Sequence, residues 1–405
     1  MNNFALDNQS RNVQALSAQE EERSILLVSL NTFYGGGEMH VENLARILGG
    51  VCQRYALVFD PILAGNLRAQ GVHVYQLSRF PESARTLQVL HGLVVLPRIL
   101  LRHKIKIVQV TGSIEATLLT AARLLGCTTI SIRHLVPFLG DGSWLEKLRR
   151  LAIEAVYSVA ILSATRVVCV SEAVAQGMRR HTSSRRIIVI PNWVPVMPAR
   201  NSRVSRQSPL RLLYVGRLER HKGLHLLFQA LQGLSGYELR VVGDGSDRGH
   251  LESRAKGLNV HFLGFQSNPA DHYRDADIFV MPSLGPEGLP LVTIEAMSHA
   301  LPCIVSDLPV HKELSSGGAA MLFACGDSTD LRLRLQTLMN SEAERSAYGA
   351  AAYEKVRRRH SPDVARAAYL AAFGLPETKP RGLEAPAPAG RSYSAENLLK
   401  SEAGA

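Results

Sequence analysis

Two α/β domains, each built around a parallel sheet, are what the sequence predicts, and three observations predict them. Short apolar runs alternate with helix-length amphipathic segments along nearly the whole chain, which is the pattern of βα units. Residues 195–209, rich in Pro, Ser and Arg and without periodicity, interrupt this series midway, after which it starts afresh. The length, 405 residues, exceeds one ordinary domain and suits two of Rossmann size.

In the first series, strands are expected at Ser24–Leu30, Arg54–Phe59, Val72–Leu77, Ile105–Val110, Thr128–Ile132, Arg166–Val170 and Arg186–Ile190. Helices fall between them, most clearly at Glu38–Leu48, Ala84–Arg102, Ile114–Leu125 and Trp144–Leu162. The second series places strands at Leu210–Val215, Glu238–Val242, Val260–Leu263, Ile278–Pro282, Cys303–Ser306 and Ala320–Phe323. Ser361, Pro362 and Asp363 combine a capping hydroxyl, a proline at the first helical position and an acid at the positive dipole end, and so open a helix to about Phe373. The domains expected are therefore 24–194 and 210–360, joined by the linker 195–209 and followed by the helix 361–373. Residues 1–23 and 374–405, poor in large apolar side chains, are expected to be disordered tails.

Composition excludes several classes. With 46% hydrophobic and 20% charged residues the chain is not globally disordered. No uninterrupted apolar run is long enough to span a bilayer, and the polar N-terminus lacks the apolar core of a secretory signal, so a cytoplasmic protein is expected. Cys52, Cys127, Cys169, Cys303 and Cys325 are odd in number and form no CxxC pair, which argues against a disulfide frame or a zinc site. The net charge of +11 is unevenly placed: residues 24–208 carry 22 basic and 9 acidic side chains, residues 209–374 carry 18 of each. The excess clusters at Arg98, Arg102, Lys104 and Lys106, at Lys147, Arg149 and Arg150, and at Arg179, Arg180, Arg185 and Arg186. Leu100, Leu101, Trp144, Leu145 and Leu148 accompany the first two groups. Two readings stand: peripheral docking of residues 98–106 and 144–150 on an anionic membrane, at its inner face, or a solvated basic surface with the leucines in the core.

Four segments carry candidate chemistry. In NTFYGGGEMHVENLARIL a glycine cluster leads from the first strand into a helix, either as a tight turn or to let backbone amides approach an anion. In LLYVGRLERHKG a strand ends at Gly216, and Arg217 and Lys222 share the loop that follows, where two cations can clamp two phosphates. VVGDGSDRGHLE only partly fits a dinucleotide fingerprint, since Arg248 stands at the third glycine position; a plain βα turn is the better reading. In IFVMPSLGPEGLPLVTIEAM, Glu287 and Glu295 straddle a helix start, with the amides of Gly288, Leu289 and Leu291 at its positive end. His221 with His225, and Asp275 with Asp277, have metal-like spacing but lack further ligands, so no metal is expected.

With these residues in view, the chain resembles the family 4 retaining glycosyltransferases. Five ordered signals carry the resemblance over about residues 24–373: GGGEMHVENLA, VCVSEAVAQGM, VIPNWV, YVGRLERHKG, and EGLPLVTIEAM followed by LPCIVSD. It implies the GT-B fold, two facing Rossmann-like domains with a C-terminal helix crossing back to the first. It also implies a nucleotide-sugar donor held mainly by the second domain and a glycan or lipid-linked acceptor, in bacterial cell-surface polysaccharide synthesis. By the resemblance, Arg217 and Lys222 hold the donor diphosphate, with Gly216 at the strand end. Glu287 contacts the sugar hydroxyls, Glu295 the ribose, and the Leu289 and Leu291 amides phosphate. His134 lies near the reacting carbon, and Gly36 and Gly37 open the acceptor side. Trp193, Pro195 and Pro290 depart from the family pattern; Pro290 offers no N–H. The sugar nucleotide is a co-substrate, and no cofactor or metal is implied. Two rivals are a nucleotide-sugar epimerase of the same fold and a nucleic-acid-binding protein using the basic half. The second is disfavoured by a low aromatic content of 6%.

Overall fold

A computed structural model describes residues 23–31, 34–77, 85–112, 117–135, 158–198, 209–266 and 268–377. The tails before residue 23 and after residue 377, most of the 195–209 linker and the basic segment 144–150 lie outside the described residues. The chain forms two compact units. Among the described residues, one comprises those within 23–194, 286–291 and 358–377; the other holds those within 195–285 and 292–357.

The first unit contains strands β1 (Ser24–Ser29), β2 (Gln53–Val58), β3 (His73–Gln76), β4 (Ile107–Thr111), β5 (Thr128–Arg133), β6 (Arg166–Cys169) and β7 (Ile187–Val189). They form one sheet in the order β3-β2-β1-β4-β5-β6-β7, every ladder parallel. The inner strands β1 and β4 are buried along their whole length, which is why SILLVS and IVQVT read as near-continuous apolar runs. Helices α1 (Gly36–Ile47), α2 (Pro61–Ala69), α3 (Arg85–Arg102), α4 (Thr117–Leu124) and α5 (Glu172–Met178) connect them. Asp60 caps α2 by accepting from Leu63 N, and Ser171 caps α5 by accepting from Val174 N.

The second unit repeats the plan. Its strands are β8 (Leu210–Val215), β9 (Tyr237–Val242), β10 (Val260–Gly264), β11 (Ile278–Met281), β12 (Cys303–Ser306) and β13 (Met321–Phe323), again all parallel, in the order β10-β9-β8-β11-β12-β13. Its helices are α6 (Leu224–Leu231), α7 (Arg248–Arg254), α8 (Ala270–Asp275), α9 (Leu291–Ser298), α10 (Pro309–Ser315), α11 (Ser328–Asn340) and α12 (Glu342–Arg359). Both sheets thus have the doubly wound order, in which the chain reverses direction beside the first strand. The reversal leaves a crevice at the carboxyl ends of β1 and β4 in one sheet and of β8 and β11 in the other.

The last helix, α13 (Pro362–Phe373), is capped by Ser361 and belongs to the first unit. Its Arg366 donates to Ile47 O at the end of α1, and Arg166 of β6 donates to the Ala371 and Ala372 carbonyls at the end of α13. Tyr369, Leu370 and Phe373 are buried, each apolar side chain contributing roughly 1.5–3 kcal/mol by leaving water. Among the described residues, no helix is long and apolar enough to cross a membrane. Of the two leucines beside the first basic cluster, Leu100 is buried, as the core reading has it, and Leu101 is exposed.

Candidate active site

In the second unit, β8 delivers Gly216 and then Arg217 at the reversal point of the sheet. Two sets of backbone contacts fix this loop. On one side Gly216 N donates to Val242 O, Leu218 N to Asp244 O and Asp247 N to Leu218 O. Gly243, at φ +133, passes so close that a Cβ there would stand 1.9 Å from Gly216 O. The partial dinucleotide fingerprint is therefore a packing device: its glycines let the β9 loop press against the β8 loop. On the other side Leu284 N, in the loop after β11, donates to His221 O at 2.8 Å. Between them Arg217 is exposed and paired with Glu219 at 2.5 Å, while Lys222 is half-buried. Lys222 does not begin a helix as its sequence context suggests. It ends a 3-10 turn, Arg220–Lys222, and α6 starts only at Leu224 beyond the left-handed Gly223. His221 and His225 consequently lie on different elements.

Glu295 sits within α9 and accepts a hydrogen bond from Tyr273 Oη through Oε2 at 2.9 Å. Burial raises its pKa, and the Tyr273 bond opposes that rise. The sequence reading missed Tyr273, a position that follows α8's own apolar pattern and carries no motif. Asp275 pairs with Arg211, and Asp277 accepts from Arg211 N. Among the described residues no three His, Cys, Asp or Glu side chains are grouped as metal ligands.

In the first unit the loop Pro286–Leu291 lies against the end of β5. A Cβ on Gly288 would stand 2.1 Å from His134 O, so only glycine allows this approach, and it brings Glu287 and Gly288 beside His134. Leu289 is buried and its carbonyl accepts from Asn192 Nδ2 at 2.7 Å. Leu291 opens α9, whose first amides have no acceptor within the helix. The Nε2 of His134 is buried and makes no hydrogen bond. Burial, then His40 and Arg133, hold the His134 pKa well below the usual histidine value, so the ring is neutral at neutral pH.

Gly36 and Gly37 lie in the first turn of α1, where a Cβ on Gly36 would meet nothing within 4 Å. That helix end already holds an acid, which the sequence reading did not weigh. Glu38, only 1% exposed, accepts from Gly35 N at 3.0 Å, Ser29 Oγ at 3.0 Å and Asn31 Nδ2 at 2.5 Å. The structure thus gathers Glu287, Gly288, Leu289, Leu291 and His134 with Gly36 and Gly37 in one unit, and Gly216, Arg217, Lys222 and Glu295 in the other. Trp193, unusual for the family pattern, is buried beside His40 and Tyr369, with ring centroids 4.9 Å and 5.3 Å away.

Two family models match the chain and together cover most of it: "Glycosyltransferase Family 4" over residues 34–196 and "Glycosyl transferases group 1" over residues 209–341. A phosphatidyl-myo-inositol mannosyltransferase of Mycobacterium leprae is 35% identical over 157 residues, which is 36% of this chain and 42% of that protein. The lipopolysaccharide core biosynthesis glycosyltransferase LpsD of Rhizobium meliloti is 29% identical over 216 residues, 51% of this chain and 63% of that protein. Neither match reaches two thirds of the relative's length. The Anabaena protein HepE, solved in complex with UDP, superposes with a TM-score of 0.73 at 17% identity, covering 87% of this chain and 99% of that one. That similarity establishes a common fold, the two-domain α/β architecture called GT-B.

Proposed function

Because the chain belongs to the family 4 glycosyltransferases, we propose that it moves a sugar, with retention at the anomeric carbon, from a nucleoside-diphosphate sugar to a hydroxyl of a glycan or lipid-linked acceptor in cell-surface polysaccharide synthesis. The observation that carries this reading is the placing of Arg217 and Lys222 on the loop that leaves β8 where the second sheet reverses, beside the loop that leaves β11. As the bond from the anomeric carbon to the diphosphate lengthens, negative charge grows on the leaving phosphate. Arg217 and Lys222 stabilise that charge, more in the transition state than in the ground state. The acceptor oxygen bonds to the carbon from the face the phosphate leaves, and a phosphate oxygen on that face takes its proton. His134 Nε2, buried without a partner, suits a sugar hydroxyl. Glu287 holds further sugar hydroxyls, Glu295 the ribose, and the first amides of α9 the phosphate. UDP in HepE supports a nucleotide donor, and LpsD supports a glycan acceptor. No metal is needed where two cations meet the diphosphate.

A thermal-shift panel of UDP-, GDP- and ADP-sugars tests the donor side: one base should raise Tm in wild type and not in Lys222→Ala, and a flat panel would sink the reading. On the acceptor side we propose that α3 rests on an anionic bilayer. Leu87, Leu90, Val94 and Leu101 are all more than half exposed and recur at helical spacing with Arg98 among them. No acidic residue occurs from Arg85 to Lys106. Sedimentation with phosphatidylglycerol vesicles should fall with salt, each basic residue there being worth about 1 kcal/mol; equal binding to neutral vesicles would contradict it.

A further inference from the structure

Reading His134 as the histidine beside the transferred sugar raises the question of what holds its ring, and we propose that His40 is a positioning residue for His134, locked in place by Asn192 and Tyr369. The proposal rests on the functional reading above. His40, on α1, is 2% exposed, and its ring meets that of His134 nearly edge-on, with centroids 4.6 Å apart and planes at 78°. Both of its nitrogens are engaged: Nδ1 lies 3.0 Å from Asn192 Oδ1, and Nε2 lies 3.0 Å from Tyr369 Oη.

The pairing fixes a single tautomer. The Asn192 amide is oriented by its own Nδ2, which donates to Leu289 O; turned over, it would set two oxygens against each other. Oδ1 therefore accepts, His40 Nδ1 carries the proton, and Nε2 accepts the Tyr369 hydroxyl. The result is a neutral, fully satisfied imidazole that cannot rotate without losing two buried hydrogen bonds. It forms one wall of the space His134 occupies. The same asparagine, through Leu289 O, ties down the loop whose Gly288 passes over the His134 carbonyl. Ring and backbone of His134 are thus both hung on Asn192, one through His40 and the other through Leu289.

The test uses the full chain, with turnover measured on UDP-glucose, GDP-mannose and ADP-glucose, for His40→Gln, Tyr369→Phe, His134→Ala and the double variant His40→Gln/His134→Ala. On the donor that wild type uses, His40→Gln should lower kcat roughly ten- to hundredfold, as a small misplacement near the chemistry does, with donor KM within about threefold. Tyr369→Phe should show the same pattern more weakly. The double variant should be no slower than His134→Ala alone, since the two residues act as one unit. Independent, multiplying losses would overturn the proposal, as would a His40→Gln protein that melts lower yet keeps its kcat. Should His40→Gln fail to fold, Tyr369→Phe, which removes one oxygen, carries the same comparison. Full turnover by His134→Ala would overturn the functional reading of His134 and this proposal with it. Loss in His134→Ala without loss in His40→Gln or Tyr369→Phe would overturn the proposal alone. Imidazole 15N spectra should show His40 protonated at Nδ1 in wild type; protonation at Nε2 instead would contradict the assigned network.

Discussion

The two units hold their polar groups at the ends of similar sheets by different means. In the second unit the holding is done by main chain against main chain: the loop bearing Arg217 is pressed between the β9 loop, through Gly243, and the β11 loop, through Leu284. Its cationic head groups are left at the surface or half-buried. In the first unit a buried side-chain cluster does most of the holding: His40 meets the rings of His134 and Trp193 and is hydrogen-bonded with Asn192 and Tyr369. Backbone clamping holds the loop without enclosing its cations, with Arg217 exposed and Lys222 half-buried. The first unit also uses one such backbone approach, Gly288 against His134 O, whereas neither Gly36 nor Gly37 has a close neighbour that forbids a Cβ.

That contrast can be broken in four places. The largest effect is expected from Arg217→Ala, which under the proposed function removes charge opposite the leaving phosphate: kcat should fall on the order of 10²–10³-fold with the fold intact, checked by steady-state kinetics and circular dichroism. Next comes Gly243→Ala, whose Cβ would collide with Gly216 O. Stability should drop by about 3 kcal/mol, read from urea titration, and an unchanged midpoint would mean the loops are not clamped by backbone.

Acid probes the first unit. Burial lowers the His40 pKa to about 4, below its unfolded value, so the unfolded chain binds more protons between those two values. Stability from this residue is therefore present above the unfolded pKa and is lost as pH falls toward 4. The loss amounts to on the order of 3 kcal/mol in total. His40→Gln should cost most at pH 7, with the gap to wild type narrowing by pH 4.5. The smallest effect belongs to Gly36→Ala. It should leave apo stability unchanged or higher by up to ~1 kcal/mol, so any rise in KM would report a ligand approaching the α1 amides.

Much of the frame is legible in the amino-acid sequence. Strands such as IVQVT and CIVS announce themselves because both faces are buried, and Ser361-Pro362-Asp363 marks a helix start through purely local chemistry. What was not legible is what depends on distant partners. His40 finds Asn192 and Tyr369 at separations of 152 and 329 residues, and no local pattern can state such pairings. A signal was present nonetheless: His40 stands on the apolar stripe of α1 with Val41, Leu44 and Ile47, where a polar ring needs a partner. Helix α3 misled in the opposite way. It is apolar nearly all round, so periodicity could not tell buried Leu100 from exposed Leu101.

The position of α13 has a consequence in time. The first unit is built from three stretches of chain, and the last of them, from Arg358 onward, is synthesised only after both described stretches of the second unit. Until it emerges, His40 lacks the Tyr369 hydroxyl, Ile47 O lacks Arg366, and the buried side chains of Leu370 and Phe373 are missing from the core. At about 5–20 residues per second, a ribosome takes on the order of ten seconds or more to cross the stretch between Val194 and Arg358. The half of the molecule made first is the half completed last, and a nascent chain must carry it unfinished through that interval.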